Sequence, residues 1–161
     1  MAKKSIKQFD EKNDEQVYVS VRETLESARG KVERAVNSAM VEAYWEVGRQ
    51  IVEATGERAE YGKHLVRYLA ERLTAEYGRG FTQRNLYQMQ QFYLAFPKVH
   101  ALRAQLSWTH YRRLMRIPDQ EQREFYMNAA ADERWTSRQL DHQIATFYRE
   151  RLLSSQGELL R

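Results

Sequence analysis

The sequence predicts an all-α fold: a helical domain with a helix-turn-helix-like core and a long N-terminal helix. Three observations carry that prediction. Only seven Gly and two Pro punctuate 161 residues rich in Ala, Glu, Arg, Leu and Gln. From Val17 the apolar residues recur at threes and fours through Val21, Leu25, Ala28, Val32, Val36, Ala39, Ala43 and Val47 to Ile51, which is the period of one helix face. A helical pattern then runs into Gly78, and another starts after Phe81 with Thr82 as N-cap.

Taken in order, residues 1–15 mix Lys, Asp, Glu, Asn and Gln with little apolar content and read as a disordered leader. Residues 16–55 form the long helix, acting as a dimerisation arm. About 38 residues at 1.5 Å each span roughly 57 Å, whereas a compact domain of this chain length is roughly 40 Å across. The helix therefore either breaks near Gly30 or pairs its first half with a partner, and a homodimer is expected. Tyr44 and Gly48, one turn apart, suggest a close helix crossing flanked by aromatics. Thr55-Gly56 ends the helix, and residues 56–153 make the helical body.

Within the body, a helix over Ala59–Tyr77 turns Tyr61, Leu65, Tyr68, Leu69 and Leu73 inward. The helix after Thr82 buries Leu86, Met89, Tyr93 and Phe96 and ends at Pro97. Further helices are expected from Ser107 to about Arg116, after Pro118-Asp119, and from Ser137 to about Leu153 with Leu140, Ile144, Phe147 and Tyr148 inward. Residues 154–161 read as a tail or the start of a linker. Three starts share a pattern. Phe81-Thr82, Leu106-Ser107 and Trp135-Thr136 each put an apolar residue before a Ser/Thr cap, with Asn85, His110 or Gln139 as the polar residue three on.

Composition excludes several functions. There are no cysteines, so disulfides and thiolate metal sites are absent. No apolar run approaches the roughly 18 residues that span a bilayer, so no membrane partner is expected and a cytoplasmic location is. His64, His100, His110 and His142 show no ligand spacing, and neither a P-loop nor a GxSxG motif occurs. Pro118-Asp119 invites comparison with the PD-(D/E)xK nuclease signature, but that signature needs a downstream lysine and the last lysine is Lys98. No catalytic residue, metal or cofactor is predicted in this chain.

Charge points elsewhere. The net charge is +4, but residues 58–116 hold eleven Lys/Arg against three acids, a balance of +8, while each flank stands at −2. That positive segment contains the turn-linked helices. In the second helix no residue from Asn85 to Phe96 is charged, and Arg84, Tyr87, Gln88 and Gln91 form a polar face opposite the apolar one. Arg and Gln match guanine and adenine edges in a major groove. The expected nucleic-acid-binding set is Arg84, Gln88 and Gln91 toward bases with Tyr87 alongside, and Arg79, Thr82, Lys63, Arg67, Arg112 and Arg113 toward phosphates. Duplex DNA is the expected partner. The alternatives are that this face meets a partner helix in a protein interaction and oligomerisation module, or that the basic residues pair with the acidic flanks.

Several stretches together carry a resemblance. Ala35-Val-Asn-Ser38, Tyr44-Trp-Glu-Val-Gly48, Gly56-Glu-Arg-Ala-Glu-Tyr-Gly62, Leu73-Thr-Ala-Glu-Tyr-Gly-Arg-Gly-Phe81, Leu106-Ser-Trp-Thr-His-Tyr111, Arg123-Glu-Phe-Tyr126 and Trp135-Thr-Ser-Arg138 resemble the N-terminal domain of YhcG-like bacterial proteins of unknown function, over about residues 17–153. The resemblance implies a helical, helix-turn-helix or winged-helix-like targeting module that normally precedes a PD-(D/E)xK nuclease-like domain. This chain ends at Arg161, where that half would begin. The resemblance therefore implies an accessory, non-catalytic role, with a nuclease-like domain supplied in cis or in trans.

Overall fold

The structure is a computed structural model that describes residues 10–159. Among them it contains only helices: α1 (Glu11–Thr55), α2 (Ala59–Tyr77), α3 (Gln83–Ala95), a single 3-10 turn (Val99–Ala101), α4 (Trp108–Leu114), α5 (Gln120–Asp132), α6 (Ser137–Ala145) and α7 (Tyr148–Leu159). The all-α prediction holds. The chain divides after Val36 into two compact units.

The first unit is the N-terminal part of α1. Asp10 starts the helix: its carboxylate accepts the Asn13 N–H at 3.2 Å, and Glu11 and Asp14 sit in the first turn, where the helix dipole favours acids. The expected leader is thus corrected from Glu11 onward, because a capping Asp was read as part of a polar tail; residues 1–9 lie outside the described residues. Gly30 does not break the helix. Its interior penalty, about 1 kcal/mol relative to Ala, is small beside the sum of 45 helical residues. Val17, Tyr18, Val21, Leu25 and Val32 are all exposed.

The second unit holds the core. Here α1 buries Val41, Trp45, Gly48 and Ile51, whereas Ala39 and Ala43 are exposed. The stripe read from Val17 to Ile51 is therefore corrected at Ala39 and Ala43: the packing face enters at Val41 and Trp45, between residues of that stripe, and rejoins it at Val47 and Ile51. Gly48 sits on the backbone of α3, so close that a Cβ there would lie 2.0 Å from the Met89 carbonyl oxygen. The close crossing expected at Gly48 is present. Around it, Ile51, Val66, Ala70, Leu86 and Met89 pack as one apolar cluster, and a larger one gathers Phe92, Phe96, Tyr111, Tyr126 and Leu140.

Polar atoms inside the larger cluster are tied to backbone. The Trp45 indole N–H donates to the Phe96 carbonyl at 2.6 Å, satisfying an oxygen at the C-terminus of α3. The Tyr111 hydroxyl accepts the Arg103 N–H at 2.7 Å. The Arg123 guanidinium donates to Ile117 O at 2.7 Å and Ala95 O at 3.3 Å, joining the end of α3 to the α4–α5 loop.

All three staple-and-cap starts are formed. Thr82, Ser107 and Thr136 each accept the N–H three residues on, and the reciprocal half of the capping box is made by His110 and Gln139. Asn85 departs from this, turning its side-chain amide to Gly80 O at 3.1 Å. His110 Nδ1 accepts the Ser107 N–H at 3.1 Å, so the ring's proton sits on Nε2 and donates to Trp135 O at 2.8 Å. That one buried ring starts α4 and anchors the segment leading into α6. Ser107→Ala is expected to lower stability by about 1 kcal/mol, with Thr136→Ala similar, read from urea unfolding midpoints.

Three side-chain expectations, Tyr61, Tyr68 and Phe147, are corrected. Tyr61 and Tyr68 are exposed; the residues of α2 that bury are the small Gly62, Val66 and Ala70, and a Cβ on Gly62 would lie 2.5 Å from the Thr55 methyl. Phe92, not singled out, is fully buried, while its neighbour Tyr93 is half-buried against Trp45. Phe147 is 64% exposed because the expected last helix is two helices, broken where Phe147 adopts φ 58°. Residues 154–159, read as tail or linker, lie in α7.

Candidate nucleic-acid interface

α2 and α3 are joined by residues 78–82, and glycine chemistry makes that turn. Gly78 takes φ 79° and ψ −151°, a region essentially open only to glycine, while its N–H closes α2 on Thr74 O at 2.9 Å. Gly80 has φ 115°. Tyr77 and Phe81 pack across the turn with ring centroids 5.9 Å apart. Thr82 then starts α3; its oxygen accepts the Asn85 N–H at 3.1 Å, which leaves its hydroxyl proton free to donate outward.

The exposed face of α3 consists of Arg84, Tyr87, Gln91 and Leu94, spaced by three, four and three. Gln88 lies at its flank, half-buried, with its carbonyl oxygen enclosed and unpartnered. Leu94 is a member of this face that the sequence reading missed, although the same spacing from Arg84 would have found it.

The basic residues divide by what they already hold. Arg67 and Arg79 are exposed, as is Arg84, and none of the three side chains makes a hydrogen bond or ion pair among the described residues. Lys63 is exposed and only loosely paired with Glu60 at 3.6 Å. Arg72 donates to the Tyr68 hydroxyl at 2.9 Å, and Arg58 lies over the Tyr61 ring at 4.3 Å. Arg112 and Arg113 are half-buried with enclosed, unpartnered Nε atoms, and Arg113 is ion-paired to Asp141 on α6. Arg103 is likewise engaged, with Asp132 at 2.7 Å.

Among the described residues no three His, Asp or Glu side chains cluster as a metal site, and no helix is long and apolar enough to cross a membrane. The fold is that of a helical domain with a turn-linked helix pair on which Arg67, Arg79 and Arg84 are exposed. The chain belongs to the DUF1016 N-terminal domain family, whose model matches residues 20–151. It is 32% identical to the Escherichia coli (strain K12) protein "Putative nuclease YhcG", in an alignment covering 88% of this chain and 47% of that relative. The chain thus spans about half the length of the curated relative it matches. No solved structure matches it.

Proposed function

We propose that this domain is the non-catalytic DNA-targeting part of a nuclease-family protein and that it contacts duplex DNA through α2 and α3. One observation carries the reading: Arg67, Arg79 and Arg84 are exposed and unpaired among the described residues, whereas Arg103 and Arg113 in the same basic segment are spent on Asp132 and Asp141. Cations free of internal partners are the ones that can release counterions from a phosphate backbone. Arg84 and Gln91 address base edges, with Tyr87 alongside and Gln88 at the flank. Arg79, Arg67, Lys63 and the Thr82 hydroxyl hold phosphates, and Arg112 and Arg113 serve chiefly to brace the body. The relative's name as a nuclease fits a domain that brings nucleic acid to a cutting site. The cutting itself is assigned to residues this chain does not match.

A gel shift on duplex DNA at several salt concentrations tests the proposal. Arg84→Ala/Gln91→Ala is expected to weaken binding about tenfold or more and to reduce the salt slope by about 1. Arg138→Ala removes an exposed charge on α6 and should change neither. The exposed Tyr87 and Leu94 favour a second reading, a protein-binding helix face. Absence of duplex affinity in the unsubstituted chain would select it.

A further inference from the structure

The outer part of α1 is helical and solvent-exposed although its sequence carries a seam. Tyr18, Val21, Leu25, Ala28, Val32 and Ala35 alternate at spacings of three and four, the a and d positions of a heptad, and all six are exposed. Gly30 falls at the position farthest from that seam. Along one edge runs a second row, Arg22, Glu26, Arg29 and Glu33, alternating in sign; the seam and this row line a common shallow groove.

We propose that this segment pairs antiparallel with the same segment of a second copy of the chain. Side-chain size decides the direction. In a parallel pair each residue meets itself, so Tyr18 crowds Tyr18 while Ala28 and Ala35 face Ala and leave two thin layers. In the antiparallel pair centred between Glu26 and Ser27, Tyr18 meets Ala35, Val21 meets Val32 and Leu25 meets Ala28. Every layer then combines a large with a small residue, or two of middle size, which is how close-packed interiors fill.

Charge does not set the direction. A parallel pair sets Arg29 against Thr24 and Lys31 against Val36, whereas an antiparallel pair brings Arg22 opposite Arg29, each base balanced by Glu26 and Glu33 on its own helix, so side-chain size carries the choice. Such an interface is self-complementary about a two-fold axis, so it closes at two copies and does not propagate.

The chain contains no cysteine, so introduced ones report alone. Val21→Cys and Val32→Cys are made as separate full-length variants, oxidised singly and as a mixture, with light scattering on the unsubstituted chain. Expected are twice the chain mass and disulfide-linked dimers at least tenfold more abundant in the mixture than in either variant alone. Leu25→Glu is expected to halve the mass while leaving the thermal midpoint of the 37–161 unit in place. A monomeric unsubstituted chain overturns the proposal. So does linking of either variant to itself, or a dimer in which the mixture fails to link.

Discussion

Gly48→Ala is expected to destabilise the body by about 3 kcal/mol, at the upper end of what overpacking does. The added methyl would lie 2.0 Å from Met89 O, 2.5 Å from Met89 C and 3.1 Å from Gln90 N, all of them backbone of α3. No rotamer change relieves a clash with backbone. The two helices must separate, and that loosens Ile51, Leu86 and Met89 together. Replacing Gly by Ala inside a helix returns only about 1 kcal/mol of propensity, too little to offset this. Gly62→Ala makes the contrast, because its methyl would meet the Thr55 side chain, which can turn away. That variant should stay within about 1 kcal/mol of the parent. Urea unfolding of the three proteins decides the matter, and equal midpoints for Gly48→Ala and the parent would rule out so tight a crossing.

Alkaline pH should remove a similar amount of stability through one phenol. Burial pushes the Tyr111 hydroxyl up to about 12, against the weaker opposing pull of the Arg103 N–H it accepts. In the unfolded chain it ionises near 10. Below pH 10 both states keep the proton and stability is unaffected. Between 10 and 12 the unfolded state gives it up first, binds fewer protons than the native state, and stability falls by about 3 kcal/mol in all. Tyr111→Phe should lose about 1 to 2 kcal/mol at neutral pH, since the Arg103 backbone loses its partner, yet show a much flatter alkaline limb. Some slope will remain, because burial raises the Tyr126 phenol as well. Unfolding free energies from pH 8 to 12 for both proteins provide the check; an unchanged slope in the Phe variant would place the titration elsewhere.

What could be read from the sequence was what neighbouring residues decide. Thr82, Ser107 and Thr136 announce their helices because a cap and its partner lie three residues apart, and Ala59–Tyr77 was bounded by its own punctuation. Gly48 was legible as a crossing because an aromatic-flanked glycine inside a helix has few other uses. The phase of α1 in the body was hidden, since Val and Ala of the outer seam continue past Val36 and mask the Val41–Trp45 face. Tyr61 and Tyr68 misled because a phenol's apolar body suits either side of a helix. The break at Phe147 carries neither Gly nor Pro to signal it. At the candidate interface, the concentration of charge was visible, but which arginines remain free was not. Arg113 is claimed by Asp141, 28 positions away, a contact only the folded chain can make.

The three tryptophans have a practical corollary. Trp45 packs edge-on against Tyr93, Trp108 against Tyr44 and Phe92, and Trp135 against Tyr148, all within or against the same apolar cluster. Residues 1–36 contain no indole at all. Intrinsic emission excited at the indole band will therefore register melting of the body and stay blind to the N-terminal segment, whose only described phenol is Tyr18. An optical titration that looks like a single clean transition would still be silent about more than a fifth of the polypeptide.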